Sequence, residues 1–226
     1  MIRCPTCARQ QEPQLLCRDC GAPLALEVDY FAALGFPRRL SLDLRQLEGA
    51  YHARGRLLHP DRFASASDAV RDASLKSTAL LTRSYRTLRD PISRGRYWLE
   101  LSGDKLSDDN KGVPLDLAEL VFEVQEELAQ LRDSGGDSGK LSRELVTAVR
   151  ERRQTLQELA SEAEEELQKN FATWDAGASD SAELKTDLKA ILSKIAYLRT
   201  LIRDVERDLE PLESAQGTSS QSTKSF

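Results

Sequence analysis

The sequence has few aromatic residues and no long hydrophobic run. Phe, Trp and Tyr account for 6% of the 226 residues, whereas charged residues account for 31%. No run of eighteen apolar residues occurs, so we expect neither a membrane-spanning helix nor a membrane partner. The chain also begins without the apolar segment of a secretory signal and without an Arg-rich transit leader. We therefore expect a cytoplasmic, bacterial protein whose thiols stay reduced.

The charge balance is acidic, and helix-forming residues dominate the composition. The formal net charge is -5. Phosphate binding needs clustered Lys and Arg that release counterions, so nucleic acid is not expected as a partner. Leu, Ala, Glu, Arg and Asp prevail over aromatic residues. These proportions predict an all-α protein with enough apolar residues for the cores of one to three small domains.

Composition and turn-forming residues divide the chain into five segments. Residues 1–27 hold all four cysteines and little else that could pack, and residues 28–102 are rich in Arg and Leu. Residues 103–113 form a polar, glycine-flanked linker. Residues 114–213 carry three helical patterns, and the Ser-, Thr- and Gln-rich residues 214–226 are predicted to be a disordered tail.

Two long amphipathic helices are predicted within residues 28–102. The first is capped by Ser41 or Asp43, and its apolar residues are spaced three and four apart. This apolar stripe consists of Leu44, Leu47, Tyr51 and Leu58. The second helix begins after Ser67 and ends at Asp90-Pro91, and its small side chains allow it to approach the first closely. A short helix from Ile92 to Leu101 follows.

Three further helices are predicted within residues 114–213, and together they form an antiparallel bundle. The first ends at Ser134-Gly135-Gly136, and the second runs from about Leu141 to about Phe171. The apolar residues of the first are Leu117, Leu120, Val121, Val124, Leu128 and Leu131. The third follows a strict seven-residue repeat, which predicts a left-handed seam against its neighbours. This repeat consists of Leu188, Ile191, Ile195, Leu198, Ile202, Val205, Leu209 and Leu212.

The four cysteines form two C-x-x-C pairs, which is the pattern of a metal knuckle. Cys4 and Cys7 make the first pair, Cys17 and Cys20 make the second, and Gly21 follows where a tight turn is needed. Four thiolates complete the tetrahedral shell of one zinc ion and leave no position for water, so the predicted site is structural. The segment would fold because the metal holds it. Iron in a rubredoxin-like site, redox thiols and disulfides are the alternatives.

The tripeptide His59-Pro60-Asp61 ends the first long helix and should be displayed on a turn. Proline cannot continue the interior of a helix, and it biases the residue before it toward an extended conformation. The tripeptide could be no more than a helix stop. Catalysis by His59 is not expected, because His52 is nearly two turns away and no serine or cysteine nucleophile is placed to use an imidazole base.

The surroundings of the tripeptide resemble a J domain, the module that activates DnaK-type ATPase chaperones. The matching residues are Tyr51, Leu58, His59-Pro60-Asp61, Phe63, Tyr85, Leu88 and Asp90-Pro91. The resemblance implies a helical hairpin with short flanking helices over residues 28–102. It also implies that the chaperone binds His59, Pro60, Asp61, Arg54, Arg56 and Arg62. Arg54 stands where the family usually has an apolar residue, so it either extends its stem over the helix seam or belongs to the binding face.

A narrower resemblance covers residues 29–212 and is to the HscB-type co-chaperones of iron-sulfur cluster assembly. It rests on Asp29-Tyr30-Phe31, Leu34-Gly35, Leu42-Asp43-Leu44, Thr87 to Pro91, Arg94, Tyr97-Trp98-Leu99 and residues 121–128 and 194–198. It implies a non-enzymatic adaptor that docks on HscA or a DnaK-type ATPase and holds the scaffold protein that carries the cluster. The implied scaffold-binding residues are Phe122, Glu123, Glu126 and Tyr197. Phe122 and Tyr197 could equally be bundle core, although Tyr197 lies off the seven-residue repeat, which favours exposure.

The client protein and the role of the knuckle stay open at the level of sequence. Ala118 and Glu119 stand where the HscB family tends to have large apolar residues, so a general J-domain adaptor for another client is the second hypothesis. The knuckle occurs in some relatives of this family, and it could serve stability, homo-oligomer contact or choice of partner. A nucleic-acid-binding knuckle is the third hypothesis, and the acidic chain disfavours it.

Overall fold

The protein is all-α apart from a small cysteine-rich module, as the sequence predicts. The computed structural model describes residues 1–25, 28–104, 106, 113–133, 141–177 and 182–219. Two compact units form, one from Met1–Lys105 with Phe171–Ser179 and the other from Leu106–Asn170 with Asp180–Phe226. No helix within the described ranges is long and apolar enough to cross a membrane. The elements in chain order are β1 (Ile2–Arg3), β2 (Gln10–Gln11), α1 (Tyr30–Leu34), α2 (Leu44–Leu58), α3 (Asp68–Arg89), α4 (Pro91–Leu101), α5 (Ala118–Asp133), α6 (Leu141–Asp175) and α7 (Ala182–Ser219).

Helices α2 and α3 pack as the predicted hairpin. Asp43, and not Ser41, caps α2, because its carboxylate accepts hydrogen bonds from two backbone N–H groups of the first turn at 2.9 and 3.3 Å. Leu47 and Leu58 are fully buried. Leu44, which the sequence assigns to the same stripe, is 49% exposed. Helical side chains point toward the N-terminus, so the side chain of this first residue projects past the end of the helix.

Small side chains on α3 face the core of the first unit. Ala73, Ser74, Ser77 and Ser84 are all buried, which allows α3 to lie close to its neighbours, as predicted. Ser67 holds the N-cap position of α3, but its side chain makes no capping hydrogen bond.

Asp90 links α3 to α4. Pro91 occupies the first position of α4, where a missing N–H group leaves no hydrogen bond unmade. The Asp90 carboxylate caps the new helix by accepting the N–H of Ser93 at 2.7 Å. Further along α4, the ring of Tyr97 stacks on Tyr30 of α1 with the ring centroids 4.1 Å apart. This contact holds α1 against α4.

The end of α6 belongs to the first unit. The sequence predicts that this helix stops near residue 171, but it continues to Asp175. The Asp175 carboxylate accepts hydrogen bonds from both N–H groups of Leu40-Ser41, at 2.9 and 2.7 Å. Trp174 meets Trp98 edge to face at a centroid distance of 5.8 Å. The extra turn is favoured because it buries an aromatic ring and satisfies two backbone amides.

Helices α5, α6 and α7 form the predicted bundle in the second unit. One buried apolar cluster of this bundle consists of Leu117, Val121, Val124, Leu128, Leu131, Val146, Val149, Leu156, Ala160, Leu198, Leu201, Val205 and Leu209. Ala163, Leu167, Leu188, Ile191, Leu192 and Ile195 are buried as well. Burial on α7 departs from the strict seven-residue repeat, because Leu201 is 2% exposed whereas the predicted Ile202 is only partly buried. A straight α-helix drifts by about 20° per heptad, so the buried stripe moves from one residue to its neighbour.

Several predicted boundaries lie outside the described residues. These include the Ser134-Gly135-Gly136 stop, most of the linker 103–113 and residues 220–226. Helix α7 continues to Ser219, into the segment 214–226 that the sequence predicts to be a disordered tail. Helix propagation is cooperative, and no further proline follows Pro211 to end it. The division of the chain into five segments stays a prediction.

Candidate partner-binding faces and metal site

The tripeptide His59-Pro60-Asp61 forms an exposed corner between α2 and α3. Helix α2 ends at Leu58, and Pro60–Phe63 forms one 3-10 turn. The Nδ1 atom of His59 caps this turn by accepting the N–H of Asp61 at 3.3 Å. The Asp61 side chain is 90% exposed. The corner is therefore displayed, with its carboxylate in solvent.

The three arginines near the corner have different surroundings. Arg56 and Arg62 are exposed, whereas Arg54 is partly buried, and burial lowers the pKa of its guanidinium. That guanidinium lies so close to Gly35 that a Cβ atom at this position would fall 2.9 Å from the Cζ atom of Arg54. Gly35 ends α1 with a φ of 78°. Arg54 thus extends its stem across the hairpin toward α1, and contact with a partner stays a prediction for all three arginines.

Phe122 and Glu126 lie about one turn apart on α5, and both are exposed. The Phe122 side chain is 71% exposed, so it is not part of the bundle core. Glu119, one turn before Phe122, is also exposed. This face of α5 therefore offers one large apolar side chain between two carboxylates.

Unlike the exposed Phe122, Glu123 and Tyr197 make side-chain contacts within the bundle. Arg152 of α6 forms ion pairs with Glu123 at 3.0 Å and with Glu127 at 2.8 Å. The hydrogen bond to Glu127, followed by the charges of both carboxylates, raises the pKa of Arg152. Tyr197, for which the sequence favours exposure, is partly buried and packs against the bundle core. It packs there because a side chain beside the drifting stripe of α7 also reaches the core.

The four cysteine sulfurs lie together, as the C-x-x-C pattern predicts. All four Sγ atoms are within 4.8 Å of one another. The sulfurs of Cys4 and Cys20 are 3.7 Å apart, and those of Cys7 and Cys17 are 3.6 Å apart. A tetrahedral zinc ion with Zn–S bonds of about 2.3 Å needs sulfurs about 3.8 Å apart. The thiols are free, so the donors and their spacing fit one four-coordinate metal ion.

Two matching turns build the cysteine site. Ala8 and Gly21 each follow a C-x-x-C pair and have φ angles of 61° and 70°. Their N–H groups donate to the carbonyls of Cys4 and Cys17 at 2.9 and 3.0 Å. The N–H of Cys20 is the main cause that lowers the pKa of Cys17 to about 6. Burial raises the pKa of Cys20 to about 12, and because cysteine binds metal as the thiolate, a metal ion at neutral pH must displace the proton of this thiol.

Known proteins resemble the chain in sequence and in fold, although no family model matches it. A protein named co-chaperone protein HscB homolog from Bordetella petrii is 37% identical over 136 residues, which cover 59% of this chain and 79% of the relative. The HscB homolog of Chromobacterium violaceum is 35% identical over 124 residues, which cover 54% and 71%. The crystal structure of the human co-chaperone protein HscB has a TM-score of 0.62 at 24% identity and covers 93% of this chain and 100% of its own.

The chain belongs to the HscB co-chaperone family. The resemblance that the sequence shows to HscB is thus confirmed, and the role of the protein is that of a co-chaperone. At less than 25% sequence identity, the human structure bears on the fold alone. It confirms a J domain with a helical bundle.

Sequence reasoning missed how the knuckle of this HscB protein joins the J domain. Leu15, between the two C-x-x-C pairs, is fully buried in the same apolar cluster as Phe31 and Leu58. The hydroxyl of Ser77 on α3 donates to the carbonyl of Leu24 at 3.0 Å. The knuckle segment is therefore part of the J-domain core. The Leu15-Leu16 pair between the two C-x-x-C pairs is a sequence signal that could have indicated this.

Proposed function

We propose that this HscB family member is a non-enzymatic cytoplasmic adaptor with two binding faces. Its J domain stimulates the ATPase of an HscA or DnaK-type chaperone, and its bundle binds and delivers an iron-sulfur cluster scaffold protein. The observation that supports this most directly is the exposed corner, where the Asp61 side chain is 90% exposed beside a proline. Joining the two faces in one chain raises the effective concentration of the scaffold at the ATPase.

The corner suits recognition by an arginine of the chaperone. An exposed carboxylate can accept a charge-assisted, bidentate hydrogen bond from a guanidinium group. Pro60 fixes one backbone torsion and His59 already caps the turn, so little conformational entropy is left to lose on docking. Arg56 and Arg62 are exposed and supply positive charge that attracts an acidic surface on the chaperone.

ATP turnover by a DnaK-type chaperone tests the J-domain half of the proposal. The unchanged protein should raise turnover. Asp61→Asn keeps the shape of the side chain but removes its charge. Breaking a close charge pair costs about 2 kcal/mol or more, so the stimulation at a fixed, sub-saturating concentration should fall about 30-fold or more. Asp68→Asn is the matched control, because that side chain is 92% exposed at the start of α3. Full stimulation by Asp61→Asn would refute this half.

The exposed face of α5 supports the scaffold half of the proposal. Phe122 offers an apolar anchor, and aromatic anchors dominate the free energy of many protein interfaces. Glu126 is exposed beside it. Glu123 and Tyr197, which are partly exposed, complete the proposed scaffold-binding set from α5 and α7.

Calorimetry with a cluster scaffold protein tests this half. Truncating an aromatic anchor that becomes buried in an interface costs about 2 kcal/mol of binding free energy. Phe122→Ala should therefore weaken the affinity for the scaffold about 30-fold. Gln125→Ala is the matched control on the same helix, because Gln125 is exposed and is not in the proposed set. Equal affinities for the two variants would show that Phe122 is not the anchor.

A general J-domain adaptor for another client is the second candidate function. It is favoured by Ala118 and Glu119, which are exposed at the start of α5, where the HscB resemblance leads us to expect large apolar residues. Intact ATPase stimulation without any scaffold binding in the calorimeter would select this candidate.

We also propose that Cys4, Cys7, Cys17 and Cys20 hold one structural zinc ion, with iron less favoured. Four sulfur ligands leave no open position, so the ion would contribute folding free energy and no catalysis. Metal analysis of the purified protein and its visible spectrum distinguish the two metals, because a zinc-thiolate site is colourless and an iron-thiolate site is not. Homo-oligomer contact through the knuckle stays a prediction, and the mass in solution tests it.

A further inference from the structure

The last carbonyl group of α2 is held by side chains of α3. Helix ends leave backbone carbonyls without a helical partner, and these groups need other donors when they are buried. Leu58 is the last residue of α2 and is fully buried. The N–H of Arg62, which would reach Leu58 if α2 continued, instead donates to the carbonyl of His59 at 3.0 Å.

Two hydroxyl groups take the place of the missing helical donor. The Oγ atom of Ser74 donates to the Leu58 carbonyl at 2.6 Å, and the Oγ1 atom of Thr78 donates to it at 3.2 Å. Ser74 is fully buried. The two residues lie four apart on α3, so they share one face of the helix and converge on the same oxygen.

The Leu58 carbonyl is part of the peptide group that leads directly into the corner. The next residue, His59, both ends α2 and caps the 3-10 turn that carries Asp61. Fixing the Leu58 carbonyl therefore fixes the direction in which the corner leaves the hairpin. Without the two donors, that peptide group would rotate more freely, and the corner would lose more conformational entropy when it docks.

We propose that Ser74 and Thr78 are positioning residues for the His59-Pro60-Asp61 corner. They orient the corner through the Leu58 carbonyl, and they do not touch the chaperone themselves. The inference deepens the proposed J-domain function and rests on it for its functional consequence. Its structural consequence, an ordered corner in the free protein, does not depend on any partner.

Ser77 offers a matched control on the same helix. It is 1% exposed, and its hydroxyl donates to the Leu24 carbonyl at 3.0 Å. Ser77→Ala therefore removes a buried hydroxyl hydrogen bond of the same kind as Ser74→Ala, but the lost bond is made to the knuckle and not to the corner. A loss of stability alone would be similar in the two variants, whereas a loss of corner orientation would not.

The experiment compares Ser74→Ala, and the double variant that also carries Thr78→Val, with Ser77→Ala in the full chain, so that Ser74→Ala and Ser77→Ala each remove one buried hydroxyl hydrogen bond. The first readout is the concentration of co-chaperone that gives half-maximal stimulation of a DnaK-type ATPase. We expect the double variant to raise this concentration about fivefold or more while maximal stimulation stays within about twofold, because only docking is penalised. Ser77→Ala should leave the concentration unchanged. Ser74→Thr and Thr78→Ser keep the hydroxyl groups, so these variants should need the same half-maximal concentration as the unchanged protein.

The second readout is amide hydrogen exchange at Asp61 and Arg62 in the free protein. We expect exchange at these two amides to rise about tenfold in the double variant, and to stay unchanged in Ser77→Ala, because exchange reports local opening. Equal behaviour of the two variants in both readouts would overturn the proposal. Faster exchange in the double variant, with no stimulation by the unchanged protein, would uphold the positioning role and refute the proposed function instead.

Discussion

Replacing Leu15 by alanine tests whether the cysteine knuckle is part of the J-domain core. Leu15 is 0% exposed and lies in one buried cluster with Phe31, Leu34 and Leu88. Leucine-to-alanine changes at such sites remove transfer free energy and leave a cavity, and together they cost about 3 kcal/mol. For a unit of this size, we expect the midpoint of thermal unfolding to fall by about 12 to 20 °C.

Tryptophan fluorescence is the suitable assay, because both tryptophans of the chain belong to the first unit. Trp98 and Trp174 meet edge to face, and Trp98 also lies edge-on to Phe31 at 6.0 Å. The control is Leu75→Ala on α3, where the side chain is 57% exposed and the change should cost about 0.5 kcal/mol or less. If Leu15→Ala unfolded at the same temperature as this control, the knuckle would not share the J-domain core, and the reasoning would fail.

Three other changes have expected outcomes. Gly35→Ala should lower the free energy of unfolding in urea by more than about 1 kcal/mol, because the φ there is 78° and disfavours a side chain, and Arg54→Ala should relieve part of this loss. Burial raises the pKa of Tyr97, so the stability that its neutral hydroxyl contributes is present below about pH 10 and is lost as the pH rises further. In the Tyr97→Phe variant, the free energy of unfolding should therefore fall less steeply with pH above this value. Removing the proposed metal ion with a chelator should lower the midpoint of thermal unfolding that fluorescence reports, and Cys17→Ser should do so without a chelator.

Each of these outcomes has a result that contradicts it. For Gly35, an additive double variant with Arg54→Ala would show that the guanidinium does not crowd the glycine. For Tyr97, an unchanged alkaline slope in the phenylalanine variant would assign the loss of stability to another group. For the knuckle, a midpoint that does not respond to the chelator would mean that the metal contributes nothing to the fold of the first unit.

The features that the sequence predicts correctly are those that follow from local rules. Asp43, one of the two predicted caps, caps α2, and Asp90-Pro91 ends α3, because each residue acts on its own neighbours. The C-x-x-C pairs bring four sulfurs together through two short turns, so the candidate metal site could be located from spacing alone. The display of Asp61 follows from the proline before it, which stops the helix there.

The features that could not be predicted depend on residues far apart in the chain. Asp175 accepts hydrogen bonds from backbone groups 135 and 134 residues away, and no spacing rule connects those positions. Leu15 is one of several leucines in a short segment, and nothing in their spacing predicts that Leu15 packs against Phe31. The direction of Arg54 depends on the absence of a Cβ atom at Gly35. The partial burial of Tyr197 follows from a small drift of the buried stripe on α7, and a strict seven-residue repeat contains no such drift.

The discontinuity of the first unit matters while the protein is being synthesised. The ribosome must add Leu106–Asn170, which belongs to the other unit, before the Phe171–Ser179 segment emerges. At about 5 to 20 residues per second, this delay lasts roughly 3 to 13 s. Until then the nascent chain has no Trp174 to cover the ring of Trp98 and no Asp175 to accept the amides before α2. The nascent co-chaperone therefore exposes aromatic surface for several seconds, as do the unfolded proteins on which chaperones act.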